Sequence, residues 1–285
     1  MSTIWILAKL TFREAIRRRI LLAGLVLGIA FLVIYSTGLH FILGQILADT
    51  AANMPSQSAA NVINTESMNG FLMAGLYAVT FLSIAMAALL AADTLAGEIN
   101  SGTIQTIVTK PIRRADVVLG KWLGFAGLLG LYVLLMAGGA VLSMFMQGHY
   151  LPDHLLLGLG LLYMESVLVM TITLMFSAAF PALATGGIVF GLYGLAFIGG
   201  WIEQFGAVFQ NDTAVKIGIL ASLIIPSESL WRRAAYEMQT PLSGAIGGNP
   251  FGAISVPSAL MVIYAFLYLM AALALAIRIF KGRDL

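Results

Sequence analysis

The residues able to do chemistry in this chain are few, and the charged ones cluster. Between two long apolar runs lies TLAGEINSGTIQTIVTKPIRRADVVLGK, residues 94–121. It holds Glu98 with Lys110, Arg113, Arg114 and Lys121, four of the fifteen Lys and Arg residues. Their chemistry is ion pairing and docking, not bond making. A second acid, Glu165, stands inside the apolar run YMESVLVMTIT. A carboxylate at that depth costs about 3 kcal/mol on insertion scales, so it faces protein or water, or carries a proton. It either lines a translocation path or is satisfied internally by Thr171, Tyr163 or a neighbouring helix. His149, Asp153 and His154 are metal-ligand types, but their spacing equally fits a solvated loop, and no metal site is expected. The fourteen methionines are scattered, as packing residues are.

Several functions lack their residues. With no cysteine, the chain has no thiol nucleophile, thiolate metal site or disulfide. It contains neither H-E-x-x-H nor the G-x-x-x-x-G-K-[ST] loop that cradles nucleotide phosphates. An intramembrane enzyme therefore has no nameable nucleophile and base. Hydrolysis of ATP by the phosphate-loop route requires another chain.

The elements that carry these residues follow from composition. Of 285 residues, 60% are hydrophobic and 10% charged, where a soluble domain has about 25% charged. The mean hydropathy is +0.96. The fold class is an all-α integral membrane protein, one domain over 1–285. Six runs are long enough to cross a bilayer as helices: about 20–43, 69–92, 117–146, 155–178, 182–201 and 255–278. With the N-terminus in the cytoplasm, twelve Lys and Arg residues fall inside, and only Lys216, Arg232 and Arg233 fall outside. That bias orients the chain with both termini inside. Arg17, Arg18 and Arg19 precede an apolar run too long for a cleaved signal.

The connections have their own patterns. Residues 1–19 read as an amphipathic elbow helix with Ile4, Leu7, Leu10 and Thr11 near one face and Trp5 and Phe12 at headgroup level. Residues 44–68 read as an outer loop. In the outer region 202–254, residues 216–226 are apolar but too short to span, which suits an interfacial or re-entrant helix. Ser227 or Ser229 would cap the next helix, with Glu228 in its first turn. Small pairs at Gly24 and Gly28, Gly120 and Gly124, and Gly187 and Gly191 permit close helix approach.

Within the loop, Gly97 and Gly102 delimit two short helical pieces, about 93–101 and 103–110. The second has an apolar stripe of Ile104, Ile107 and Val108, and Pro111 ends it. Asp116 would cap the third span. Glu98, Gly102 and Thr103, then Lys110 with Pro111, then Arg114 and Lys121 at the start of a span, resemble the type-2 ABC exporter permeases. The basic N-terminal helix and six-span layout are similar to that family too. The small size without a fused ATPase is similar to its NosY-type members, which work with a separate nucleotide-binding subunit.

The resemblance implies that 93–116 is a coupling loop lying in a groove of an ATP-binding subunit. Glu98 would pair with a basic residue there, and Thr103 and Ile104 would pack in the groove. The read-off partners are two copies of that subunit, a second permease copy as a homodimer, the bilayer and an outer-side partner protein. No cofactor is expected in this chain, and ATP and Mg would bind the partner. The location implied is a bacterial or archaeal plasma membrane. The alternatives are a secondary transporter or a non-transporting scaffold, in which Glu98 is a solvated acid and the isoleucine stripe lies on lipid.

Overall fold

The structure is a computed structural model. It describes residues 3–54, 56–100, 113–246 and 249–282, with backbone alone at 98–100 and 244–246. All its regular elements are helices: α1 Thr3–Ile16, α2 Arg19–Asn53, α3 Gln57–Ala92, α4 Thr94–Asn100, α5 Arg114–Gly148, α6 Leu155–Ser177, α7 Ala182–Val208, α8 Asp212–Ile224, α9 Ser227–Met238, α10 Pro241–Ile246 and α11 Ala259–Lys281. Six of them, α2, α3, α5, α6, α7 and α11, are long and apolar enough to cross a membrane. Their backbones are satisfied within each helix, as a hydrocarbon solvent demands.

Three spans run well past the ends that hydropathy suggests, and one of them, α7, continues from the expected 201 to Val208. Residues 44–68 are not a loop: α2 and α3 extend through them and leave only 54–56 between. Polar residues on the extensions bond each other, which is why hydropathy ended too early. Thr50 Oγ1 lies 2.9 Å from Asn64 Oδ1, and Ser56 accepts the Ala59 amide at the start of α3. The expected cap at Asp116 is also corrected. α5 starts two residues earlier, at Arg114, without a side-chain cap, and Asp116 lies in its first turn.

α3, α5 and α6 form the centre of the bundle, while α2 turns most of its surface outward. Leu72, Met73 and Leu76 of α3 meet Leu129 and Met136 of α5 and Leu168 and Val169 of α6 in one core. Methionine fills the close approaches, with Met86 against Gly24 and Met136 against Gly28. The Gly120 and Gly124 pair receives α1. A Cβ at Gly124 would stand 2.7 Å from Ala8 O, and one at Gly120 would stand 2.5 Å from Leu7 Cβ. The buried face of α1 is therefore Ala8, Thr11 and Ala15, while Leu10 is exposed with Trp5 and Ile6. Close approach selects the small residues, and of the residues expected near one face Thr11 is buried while Leu10 is exposed. Around Gly187 and Gly191 there is open space.

At the end of the bundle away from the termini, α7 and α8 form a tight hairpin. Gly199 faces Ala221, Gly206 faces Ala214, and Gly218 faces Glu203. Asn211 starts α8 by accepting the Thr213 and Ala214 amides. The chain then bends by 111° into α9. The expected serine caps are not used. Pro226 precedes α9 without a side-chain cap, and Ser229 instead accepts from Arg232.

The seat of α1 is testable in detergent. Gly124→Leu should lower the thermal midpoint by an amount equivalent to about 1–3 kcal/mol of overpacking. Gly127→Leu, where nothing lies within 4 Å, should leave it near that of the unmodified protein.

Candidate functional site

Both ends of the loop stand on one small core, separate from the main one. Leu95 of α4, Val117 and Val118 of α5, Leu174 of α6, Ala178 just beyond it, and Leu273, Ala276 and Phe280 of α11 form it. Arg114 donates from Nη1 to the Lys281 carbonyl at 3.1 Å, which ties the start of α5 to the end of α11. The amides of Leu95 and Ala96 both donate to Ser177 Oγ, each at 3.2 Å. Glu98 lies on the α4 backbone, and its side chain is outside the described residues, as are Gly102, Thr103, Ile104, Lys110 and Pro111. Of the loop residues singled out by sequence, Arg114 is the one whose contacts are described.

A second constellation lies toward the opposite end. Arg232 of α9 is 1% exposed and forms an ion pair with Glu203 of α7. The same guanidinium donates to Ser222 Oγ at 3.1 Å and Ser229 Oγ at 3.3 Å, and Ser255 Oγ donates to Glu203 Oε1 at 2.6 Å. Glu228, one turn before Arg232, accepts the Tyr77 hydroxyl at 3.2 Å, and Tyr77 in turn accepts Trp201 Nε1 at 3.1 Å. Glu165 is fully buried on α6, within electrostatic reach of Glu228. Its expected internal partners are engaged elsewhere. Thr171 Oγ1 accepts from Trp122 at 2.7 Å and Tyr163 donates to the Ala126 carbonyl at 3.0 Å. Neither oxygen of Glu165 has a hydrogen-bond partner among the described residues.

Two amide side chains, Gln204 buried and Gln239 half-buried, brace the non-helical stretch that follows. Gln204 donates to the Gly252 carbonyl at 2.6 Å and accepts the Ile254 and Ser255 amides at 3.0 Å. Gln239 does the same for Ala253, donating at 3.2 Å and accepting at 2.9 Å. Tyr150, in the connection between α5 and α6, accepts from Asn69 at 2.8 Å, and burial raises its phenol above the usual range.

Beside this network, α2, α3 and α7 bound an apolar groove of about 580 Å³ lined by Leu27, Phe31, Phe81, Tyr193 and Phe197 with Tyr77. Ala74 and Phe251 also line a second space of about 520 Å³, which carries Glu66, Ser67 and Asn249. The first space is almost wholly apolar and the second carries the polar side chains. Tyr77 and Tyr193 both line the groove and lie within electrostatic reach of Glu165.

His154 Nδ1 lies 3.8 Å from Glu237 Oε2, and Glu237 is already paired with Arg233. Among the described residues no group of three metal-ligand side chains assembles. Sequence reasoning missed Glu203 and Arg232, leaving both in the outer region 202–254 with no assigned partner. The signal was present in two forms. An acid and an amide, Glu203 and Gln204, directly follow an apolar run. Arg232 sits on a helix whose Leu230, Trp231, Ala234, Ala235 and Met238 all face inward.

Six membrane-length helices and a buried polar centre define a multi-span helical membrane protein. A family model described as ABC-2 family transporter protein matches residues 5–285, and the chain belongs to that family of ABC transporter permeases. Two similar curated proteins are each described as probable ABC transporter permease protein NosY. The one from Stutzerimonas stutzeri is 41% identical over 64 residues, covering 22% of this chain and 23% of the relative. The one from Pseudomonas aeruginosa is 28% identical over 143 residues, covering 50% and 46%. The matched stretches thus span less than half the length of either relative.

The buried pair should behave as a unit. Arg232→Met leaves Glu203 charged and buried, and should cost about 3–5 kcal/mol of stability. Adding Glu203→Gln should recover most of that loss in the thermal midpoint. Additive losses would mean that the two side chains do not interact.

Proposed function

We propose that this chain is the membrane-spanning subunit of an ABC exporter, driven by a separate ATP-binding subunit that docks on the loop 93–116. Membership of the ABC-2 family carries the reading. The two relatives named as ABC transporter permeases fit it. So does the anchoring of both loop ends, because a loop that receives force must pass it to the bundle. In this reading α1 is the elbow helix, with exposed Trp5 and Ile6 in the headgroup layer. Two permease copies and two ATP-binding subunits make the working assembly, ATP and Mg are held by the latter, and an outer-side protein completes the partner set.

The termini are assigned to the cytoplasm of a bacterial or archaeal plasma membrane. The charge bias supports this more strongly with side chains in view. Of the three basic residues at the opposite end, Arg232 and Arg233 are neutralised by Glu203 and Glu237, and Lys216 is exposed. Glu165 is assigned to the translocation path, within electrostatic reach of Tyr77 and Tyr193.

The test is charge reversal on the loop. Glu98→Arg should reduce co-purification of the cognate ATP-binding subunit by about tenfold or more, a change of roughly 1.4 kcal/mol. The subunit's ATP turnover should fall to that of the subunit alone. Binding and turnover equal to those of the unmodified chain would remove the docking role. For the path, Glu165→Gln should preserve the fold and slow ATP turnover by the reconstituted assembly. Unchanged turnover removes Glu165 from the mechanism.

A further inference from the structure

α3 stops at Ala92, the backbone turns at Asp93, and α4 starts at Thr94. A helix start leaves amides that need acceptors. The Thr94 hydroxyl points back along α3 and donates to the Leu90 carbonyl at 2.8 Å. The acceptor for Leu95 and Ala96 is Ser177 Oγ, more than eighty residues further along the chain. Thr94, Leu95 and Ser177 are all fully buried. Water therefore offers the amides no substitute, and losing the hydroxyl leaves two buried donors unpaired.

Ser177 is the last residue of α6. On either side of it, Leu174 and Ala178 pack with Leu95 at the entry to the loop and with Val117 and Val118 at its exit. The two ends of the loop thus rest on one end of one span. Twelve residues back along α6, about 18 Å at the helical rise, Glu165 lies within electrostatic reach of Glu228 of α9. α6 thus runs from the loop to α9, against which it packs, and α9 follows directly on α8.

We propose that Ser177 is the joint that makes α4 and α6 move as one body, so that a load on the loop reaches α8 and α9 through α6. The proposal rests on the reading that an ATP-binding subunit docks on the loop. Ser177 is a positioning residue: it contacts neither nucleotide nor cargo, and acts through the α4 backbone. The hydroxyl is the working group, so Ser177→Thr retains the joint and Ser177→Ala removes it.

The experiment uses the full chain with its cognate ATP-binding subunit in lipid nanodiscs. Because the chain has no cysteine, Lys216→Cys gives one labelling site on the exposed face of α8 for a fluorophore. The probe is ATP with Mg and vanadate, which traps the ATP-binding subunits closed. In Ser177→Ala, amide exchange at Leu95 and Ala96 should rise about fivefold, the size of a lost cap. The ATP-binding subunit should still co-purify. The nucleotide-dependent change at the α8 label should shrink by at least about fivefold, the low end of ordinary coupling between sites. Ser177→Thr should restore both readouts.

Raised exchange at Leu95 and Ala96 with a full label response overturns the joint. So does exchange that does not change, since the hydroxyl then caps nothing. Loss of subunit binding in Ser177→Ala overturns it in favour of a role in shaping the docking surface. If the unmodified chain binds no ATP-binding subunit, the docking reading itself falls and the joint falls with it.

Discussion

A bilayer offers the backbone no hydrogen-bond partner, and at three breaks in the helical pattern side chains take up the free backbone groups, while α5 and α9 start without a side-chain cap. At the break between α3 and α4, Ser177 takes the free amides. In the irregular stretch before α11, Gln204 and Gln239 take them, each working as donor and acceptor on its segment. At the start of α8, Asn211 does so alone. Ser177, Gln204, Gln239 and Asn211 thus brace points where the helical pattern fails.

Those points lie at the two ends of the bundle. At the end with the termini, the loop is braced by Ser177 and by the Arg114 contact to the last turn of α11. Toward the other end, the bent α8–α9 pair is held by the Glu203–Arg232 pair and by the Tyr77 hydroxyl on Glu228. Between them run α3, α5 and α6, close packed and mostly apolar. Interiors packed in this way transmit displacement rather than absorbing it. The arrangement suits a molecule worked at one end to change the other.

Much of the fold was legible in the sequence because one physical rule, the length of an apolar run, governs spans. That rule stops where polar residues continue a helix beyond the hydrocarbon. It therefore missed the extensions of α2 and α3, where Thr50 and Asn64 pair with each other instead of with water. It did not reveal the packed face of α1, because periodicity marks large apolar residues such as Leu10 although only a small side chain fits against Gly124. The candidate site was legible in part. Glu165 stood out because no neighbour in its run excuses a carboxylate. Glu203 and Arg232 did not, because each looks like a loop charge until the fold brings 29 residues of separation into contact. Ser177 had no local signature at all, since its two donors lie on another helix. The coupling residues around Gly102 and Thr103 rest on family resemblance, and the described structure neither adds to nor subtracts from them.

The central claim is that the loop between α3 and α5 receives an ATP-binding subunit. Amide exchange on the chain, with and without the cognate subunit, tests it most directly. The account predicts protection across residues 94–121 on complex formation and little change across α8 and α9 before nucleotide is added. Protection confined to other segments, or none at 94–121 in a complex that forms, would contradict it.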